Sequence, residues 1–239
     1  MASRARQHHY RLLLGGCVAM LAIFTLPDPW NLLASPGYLV LGVVMLRALG
    51  EGGERSRQGA LNRRLYQGTG IATLAVGGLW LLTPLEMRGT GVPVVALWAL
   101  FSLWSAQRLI RQLGEERSVD QAVLSGALAG YLMLGLSGGF LSAAVETVAP
   151  GSFTGGDLTP AGPDGLEEVW RLDFVKLNYF AFVSLTTTGY GDILPVTPAA
   201  QMVSIALAVA GNSYLAIVLG LLIGRFSVLD SHDEKSGGD

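Results

Sequence analysis

The segment Ser184–Asp192, with the sequence SLTTTGYGD, combines residue types that can bind a dehydrated cation. Such a cation needs rings of oxygen ligands, and consecutive backbone carbonyls supply them when their peptides all point inward. This arrangement demands alternating backbone conformations, some with positive φ, which glycine adopts readily. Gly189 and Gly191 meet this demand, and the hydroxyl of Thr187 can add a lowest ring. The segment therefore predicts a cation site built from backbone and hydroxyl oxygens.

The preceding stretch indicates where that site lies. Residues 173–186, DFVKLNYFAFVSLT, are apolar and helical in character. At about 1.5 Å per residue they reach halfway across a bilayer core of about 30 Å and must turn back. Backbone that leaves a helix in mid-membrane is tolerated where it is buried in protein or lines a watery cavity. We expect Asp173 to cap the outer end of this re-entrant helix, whose negative dipole end then favours a cation at the membrane centre.

The whole chain is too apolar and too poorly charged for an ordinary soluble domain. Of its 239 residues, 51% are hydrophobic and 14% are charged, and the mean hydropathy is +0.46. A net charge of −2 suggests neither a nucleic-acid partner nor a strongly acidic ligand. The single cysteine, Cys17, excludes an internal disulfide and a cysteine metal cluster. The composition is typical of an integral membrane protein.

Six apolar stretches are candidate membrane spans, given that a bilayer core requires about 20 helical residues. They are Tyr10–Leu26, Leu32–Leu49, Thr69–Leu85, Val92–Ile110, Asp120–Val148 and Thr197–Phe226. Arginines precede the first stretch, as in a secretory signal, but no small-residue cleavage site follows, so we expect a retained helix.

The distribution of positive charge predicts the orientation of these spans. With the amino terminus inside, three of the 16 Lys and Arg residues lie outside, namely Arg88, Arg171 and Lys176. This is the positive-inside bias, and both termini are expected in the cytoplasm. The external loop 149–171 is acidic and rich in proline and glycine, so we expect it to be irregular. Its acidic residues either concentrate cations at a pore mouth or form a merely solvated surface.

The filter segment, Thr186–Asp192, resembles the selectivity filter of tetrameric potassium channels. The resemblance covers roughly residues 120–226 and continues through GDILPVTP into AVAGNSYLAIVLG. It implies an all-α membrane protein with six transmembrane helices, a re-entrant pore helix and filter between helices five and six, and a homotetramer in a lipid bilayer. It implies passive K⁺ conduction, with no further cofactor, and K⁺ bound at Thr187, Thr188, Gly189 and Tyr190, in a filter that Gly191 completes.

Residues around the filter are assigned by the same resemblance. Thr186 and Asp192 are expected to support it. Thr188 replaces the valine of the family's Thr-Val-Gly-Tyr-Gly, and its hydroxyl is expected to face the scaffold behind the filter. Val183 stands where some bacterial members carry a glutamate that pairs with the aspartate, so that brace is absent. Tyr179 aligns with an aromatic residue that can bond the aspartate in relatives, and we expect a Tyr179–Asp192 hydrogen bond.

The resemblance divides the chain into three parts. Residues 1–118 resemble the four-helix bundle of a voltage sensor, residues 119–228 form the pore domain, and residues 229–239 are a short cytoplasmic tail. Gly211 matches the family's hinge position in the inner helix, and Gly220 is a second hinge candidate.

Voltage gating is expected to be weak or absent. The stretch Val92–Gln107 contains no Lys or Arg, and Arg108 and Arg111 follow at its cytoplasmic end. Snorkelling to the membrane surface is the expected behaviour of both side chains. One charge that crosses the whole field contributes about 2.3 kcal/mol per 100 mV, so two charges in part of it give a shallow response.

Other functions fit the residues less well. GYGD also matches a signature of intramembrane aspartyl proteases, but the chain has no Tyr-Asp pair for the second carboxylate that their chemistry needs. We therefore expect no enzyme activity. Potassium transporters related to channels carry four pore units per chain, whereas one is present here. A non-selective cation channel of the same fold is the alternative. The expected location is a bacterial inner membrane, without a nucleic-acid partner or small-molecule substrate.

Overall fold

The computed structural model describes residues 2–27, 30–50, 57–83, 92–116, 120–156, 158 and 174–236. The helices are α1 (Ala2–Phe24), α2 (Ala34–Gly50), α3 (Arg57–Leu82), α4 (Val92–Glu115), α5 (Gln121–Val148), α6 (Phe174–Leu185) and α7 (Pro198–Ser236). A short 3-10 helix, Trp30–Leu33, precedes α2. Two strands, β1 (Phe153–Gly155) and β2 (Ile193–Pro195), follow α5 and α6. The all-α prediction is confirmed, with a small two-stranded sheet added to it.

Four of the helices are long and apolar enough to cross a membrane. Their apolar parts are Gln58–Leu82, Pro93–Glu115, Gln121–Val148 and Pro198–Val218, which correspond to the third to sixth expected spans. The first two expected spans lie in α1 and α2, and α2 has 17 residues. The described part of the chain therefore supports four spans, and the expected count of six is not established.

Four helices extend several residues beyond their expected bounds. α1 begins at Ala2 instead of Tyr10, and α4 ends at Glu115 instead of Ile110. α3 begins at Arg57 instead of Thr69, and α7 continues past Phe226 to Ser236, into the expected tail. The added part of α3, RQGALNRRLYQG, is polar but contains no proline and is rich in good helix formers. Hydropathy marks only the apolar part of a helix. It therefore underestimates the length of helices that continue into polar surroundings.

α5 begins where the sequence predicts. Asp120 is its N-cap, and the Oδ1 atom of this residue accepts hydrogen bonds from the backbone N–H groups of Ala122 and Val123, both at 2.9 Å. The cap satisfies two donors that the first turn otherwise leaves unpaired. The other carboxylate oxygen accepts a hydrogen bond from the Gln7 amide at 2.5 Å, so the same side chain also joins α1 to α5.

Glycines of α5 form part of the surface against which α6 and α7 pack. A Cβ at Gly130 would crowd the Tyr214 hydroxyl of α7, and one at Gly135 would overlap the Phe182 ring of α6. Small residues let neighbouring helices approach closely, which is the usual way helices pack in membranes. α5 thus contacts α6 and α7 as well as α1 and α4.

The segments before and after the pore helix meet in an antiparallel pair. β1 and β2 align Phe153 with Pro195, Thr154 with Leu194 and Gly155 with Ile193. The expectation that the external loop is irregular is therefore wrong for β1. β1 forms because it pairs with β2, about 40 positions away in the chain, and the local proline and glycine content does not reveal such a pairing.

Candidate cation-binding filter

Every second residue in the centre of the filter segment has a left-handed backbone. The φ angle is 57° at Thr187, 58° at Gly189 and 76° at Gly191. Glycine adopts such angles readily, whereas a β-branched residue there is a genuine outlier that surrounding contacts must hold in place. The two glycines have the conformations expected from the sequence. The sequence analysis made no prediction of positive φ at Thr187, and threonine rarely adopts it.

Hydrogen bonds to the last turn of α6 hold the inner end of the filter segment. The Val183 carbonyl accepts hydrogen bonds from the backbone N–H groups of Thr188 at 3.0 Å and Gly189 at 3.4 Å. The Thr186 hydroxyl donates to the Phe182 carbonyl at 2.8 Å and lies 2.9 Å from the Thr188 hydroxyl. The Thr188 hydroxyl thus lies against Thr186, next to the end of α6. Val183 holds the segment through its backbone, a contact that does not depend on side-chain type and has no sequence signal.

The outer end of the segment is held by Tyr179. Its hydroxyl donates to Asp192 Oδ2 at 2.7 Å, which is the contact expected from the sequence. Oδ1 of Asp192 accepts the N–H of Ile193 at 3.1 Å. The hydrogen bond from Tyr179 lowers the pKa of Asp192 below its ordinary value, because it favours the charged carboxylate. The Tyr179 and Tyr190 rings are parallel within 2°, with centroids 6.5 Å apart.

A buried carboxylate near the end of α5 braces the strand that pairs with the outer mouth. Glu146 is 8% exposed and accepts the backbone N–H of Gly151 at 2.5 Å and of Phe153 at 3.0 Å. β1 then pairs with β2, which directly follows Asp192. A Cβ at Gly155 would overlap the Asp192 carbonyl oxygen, and φ there is 93°. The sequence analysis missed Glu146, although an acidic residue within an apolar helix is a functional signal.

The turn between α5 and β1 also fastens the start of α7. The Ser152 carbonyl accepts the N–H of Val196 at 2.9 Å. The Thr197 hydroxyl donates to the Ser152 hydroxyl at 3.0 Å. These contacts link α5, the segment after the filter and α7 in one network of hydrogen bonds.

The two hinge candidates have different surroundings. A Cβ at Gly211 would overlap the Leu185 carbonyl oxygen, so α7 approaches the end of α6 backbone to backbone at this point. At Gly220 a Cβ would meet nothing within 4 Å. The close approach gives Gly211 a packing requirement that the hinge assignment did not anticipate. Asp173, expected as the cap of α6, lies outside the described residues.

The expected snorkelling of Arg108 is wrong. Arg108 is 8% exposed, and its Nε donates to the Leu49 carbonyl at 2.9 Å. Its guanidinium carbon lies 4.5 Å from the centre of the Tyr66 ring. Arg108 turns inward because the carbonyls at the end of α2 and the negative end of its helix dipole attract a cation. Arg111 is exposed, in agreement with the expectation.

Comparison with known proteins identifies relatives of the pore region. Residues 131–227 match a family model described as "Ion channel". The chain is 33% identical over 105 residues to "Two pore potassium channel c" of Oryza sativa subsp. japonica, an alignment that covers 44% of this chain and 19% of that protein. It is 38% identical over 48 residues to "Voltage-gated potassium channel" of Aeropyrum pernix, covering 20% of this chain and 16% of that protein. The chain thus spans less than a fifth of the length of these curated relatives. No solved structure matches it significantly.

Proposed function

We propose that this membrane protein is a potassium-selective channel, because residues 131–227 match the model of the ion channel family and the curated relatives are named as potassium channels. K⁺ passes through it passively and the pore is weakly voltage-gated or not voltage-gated. The ion channel family is not a class of enzymes, and no catalytic residue is assigned.

The observation that carries the proposal is the left-handed backbone at Thr187, Gly189 and Gly191. With every second residue reversed, the carbonyls of a ribbon can face one side and stack as successive rings. K⁺ then exchanges its water shell for these oxygens at Thr187, Thr188, Gly189 and Tyr190. Several adjacent sites bind K⁺ tightly enough for the ion to enter the filter and weakly enough for it to leave.

A homotetramer follows from the same requirement, because one chain contributes one ribbon and a ring of oxygens needs several around an axis. Apolar residues of the filter and α7 support this assembly, since Tyr190 is 71% exposed, Met202 58% and Val209 59% in the single chain. Four copies of these surfaces would cover one another or line the pore.

Weak voltage dependence is supported by the position of Arg108. This guanidinium is held by the Leu49 carbonyl and the Tyr66 ring. A charge fixed by such contacts does not travel through the field, so it contributes little to gating. The remaining candidate, Arg111, is exposed at the end of α4.

The proposed arrangement in the membrane has six spans, with α1 and α2 as the two shorter ones and both termini in the cytoplasm. The charge distribution supports this orientation. Residues 1–118 then form a bundle beside the pore domain 119–228. The membrane we propose is the bacterial inner membrane, as in the bacterial members that the filter resembles.

The experiment that tests this function is ion flux from liposomes that contain the purified full chain. We expect K⁺ efflux far faster than Na⁺ efflux, from a particle of about four times the chain mass of 25.2 kDa. Equal fluxes would favour the non-selective cation channel. A monomer that conducts would overturn the proposed assembly.

A further inference from the structure

A hydrogen bond between two buried side chains joins the pore helix to the amino-terminal helices. Asn178, in the middle of α6, is 1% exposed, and Tyr38 of α2 is 5% exposed. The Tyr38 hydroxyl donates to Asn178 Oδ1 at 3.3 Å. The Asn178 amide nitrogen donates to the Phe174 carbonyl at 2.9 Å. Residues 140 positions apart in the sequence therefore share one buried polar contact.

Aromatic rings surround this contact. The Tyr38 ring has its centroid 4.6 Å from that of Phe140 on α5, 5.6 Å from Phe174 on α6 and 6.0 Å from Trp98 on α4. Ring pairs at these distances attract each other beyond the effect of burial. An unpaired polar group in such an apolar setting costs free energy, so the orientation of the Asn178 amide is fixed by its partners.

The backbone of α5 packs against the Asn178 amide as well. A Cβ at Gly139 would overlap the Asn178 side chain. The amide is thus held between the backbone of α5 and the hydroxyl from α2. Small displacements of α2 change the position of α6, because neither neighbour leaves space for the amide to move on its own.

The neighbouring residue on α6 bonds the filter. Tyr179 follows Asn178 in the chain and donates to Asp192 at 2.7 Å. One turn further on, Val183 bonds the inner end of the filter segment through its carbonyl. A shift of α6 at Asn178 therefore moves the supports at both ends of the filter.

We propose that Tyr38 is a positioning residue for the filter, which acts through Asn178 and couples the amino-terminal helices to the conducting state of the filter. This inference rests on the proposed channel function. It assigns to residues 1–118 a role in filter gating that needs no moving charge.

The test is the Tyr38→Phe variant of the full chain in planar bilayers, because it removes the hydroxyl and keeps the ring. Tyr66→Phe is the matched control. Tyr66 is also a buried tyrosine of the amino-terminal helices, but its hydroxyl contacts Met45 and Ser105 and not α6. The quantity measured is the ratio of conducting to non-conducting filter at steady state, at low and high external K⁺.

We expect Tyr38→Phe to change this ratio at least about twofold, because loss of one neutral hydrogen bond corresponds to about two- to tenfold and each subunit of the proposed tetramer loses one. The effect should shrink in high K⁺, which favours the occupied filter, a dependence that a merely structural role would not produce. Tyr66→Phe should change the ratio by less than about twofold, since its hydroxyl does not reach the pore helix. Both variants should keep the K⁺ over Na⁺ preference of the unmodified chain.

Combination with Tyr179→Phe adds a second readout. If both tyrosines act through α6, the double variant should deviate from the sum of the single effects. The inference is overturned if Tyr38→Phe behaves as Tyr66→Phe, if the double variant is additive, or if Tyr38→Phe alone fails to assemble. Loss of K⁺ preference in the unmodified chain would instead reject the proposed function.

Discussion

The two ends of the filter segment are held in different ways. At the inner end, Thr188 and Gly189 bond the Val183 carbonyl, five and six positions earlier in the chain. At the outer end, Asp192 bonds the Tyr179 side chain, and the β2 strand after it pairs with β1. The inner contacts are local, and those that hold Thr188 and Gly189 to Val183 use backbone atoms alone. The outer contacts depend on side chains and on distant segments, so the outer end is where sequence changes can adjust the filter.

The largest effect is expected from Gly191→Ala. A Cβ at this position has free space, so the penalty comes from φ, which is 76°. A residue with a Cβ loses about 1–2 kcal/mol in a left-handed conformation. Four copies amount to at least about 4 kcal/mol, and each 1.4 kcal/mol is about a factor of ten. We expect K⁺ flux from liposomes to fall by several hundredfold or more, since about 4 kcal/mol at 1.4 kcal/mol per factor of ten is nearly three factors of ten.

The control for this change is Gly78→Ala in α3, which also has free space but no positive φ. Its flux should equal that of the unmodified chain. Retained conduction in Gly191→Ala would show that the outer end tolerates an ordinary backbone and would remove the observation on which the function rests.

At the inner side, Gly211→Ala should have the next largest effect. The new Cβ overlaps the Leu185 carbonyl, so α7 must separate from the end of α6. Overpacking of this kind typically costs about 1–3 kcal/mol. The expected results are a lower melting temperature of the purified assembly and reduced K⁺ flux. Gly220→Ala is the control, because a Cβ there meets nothing within 4 Å. If Gly220→Ala alters gating while Gly211→Ala leaves it unchanged, Gly220 is the hinge and the close approach is unimportant.

At the outer end, Tyr179→Phe removes the hydroxyl that bonds Asp192. We expect the filter to leave its conducting state at least about threefold faster, because each of the four copies loses one hydrogen bond, with selectivity retained because the inner supports are untouched. Single-channel recording measures this rate. An unchanged rate would mean that the hydrogen bond does not support the filter.

The same variant predicts a change in pH dependence. Tyr179 lowers the pKa of Asp192, so the contact contributes fully above the ordinary aspartate pKa and is lost as the pH falls through the lowered value. Without the hydroxyl this pKa moves back up. Acid should therefore close the Tyr179→Phe filter at a higher pH than the unmodified filter. Identical acid profiles would contradict the assigned cause of the shift.

The smallest effect is expected from Thr188→Val at the inner end. The change removes the contact between the Thr186 and Thr188 hydroxyls, 2.9 Å apart, but keeps the β-branched shape and the backbone bond to Val183. Conductance and selectivity should change by less than about twofold, because both groups are exposed in the single chain. A large loss of selectivity would show that the inner end depends on side chains after all.

Features of the fold and the filter that depend on local sequence could be predicted, and those that depend on distant segments could not. The filter glycines and the start of α5 at Asp120 follow from residue types within a short stretch, because positive φ selects glycine and aspartate caps a helix. The Tyr179–Asp192 contact follows from the resemblance of this stretch to potassium channel filters.

Features that join distant segments could not be predicted in this way. The pairing of β1 with β2, the inward turn of Arg108 toward Leu49, and the Tyr38–Asn178 contact each depend on how the helices pack. The left-handed backbone at Thr187 could not be predicted from residue type either, because threonine disfavours positive φ.

The most direct test of the account is the reversal potential of the purified chain in a planar bilayer with mainly K⁺ and some Na⁺ on one side and mainly Na⁺ and some K⁺ on the other. The account predicts a value close to the equilibrium potential of K⁺, because backbone oxygens replace the water shell of K⁺ in the filter. A reversal potential near zero would contradict it.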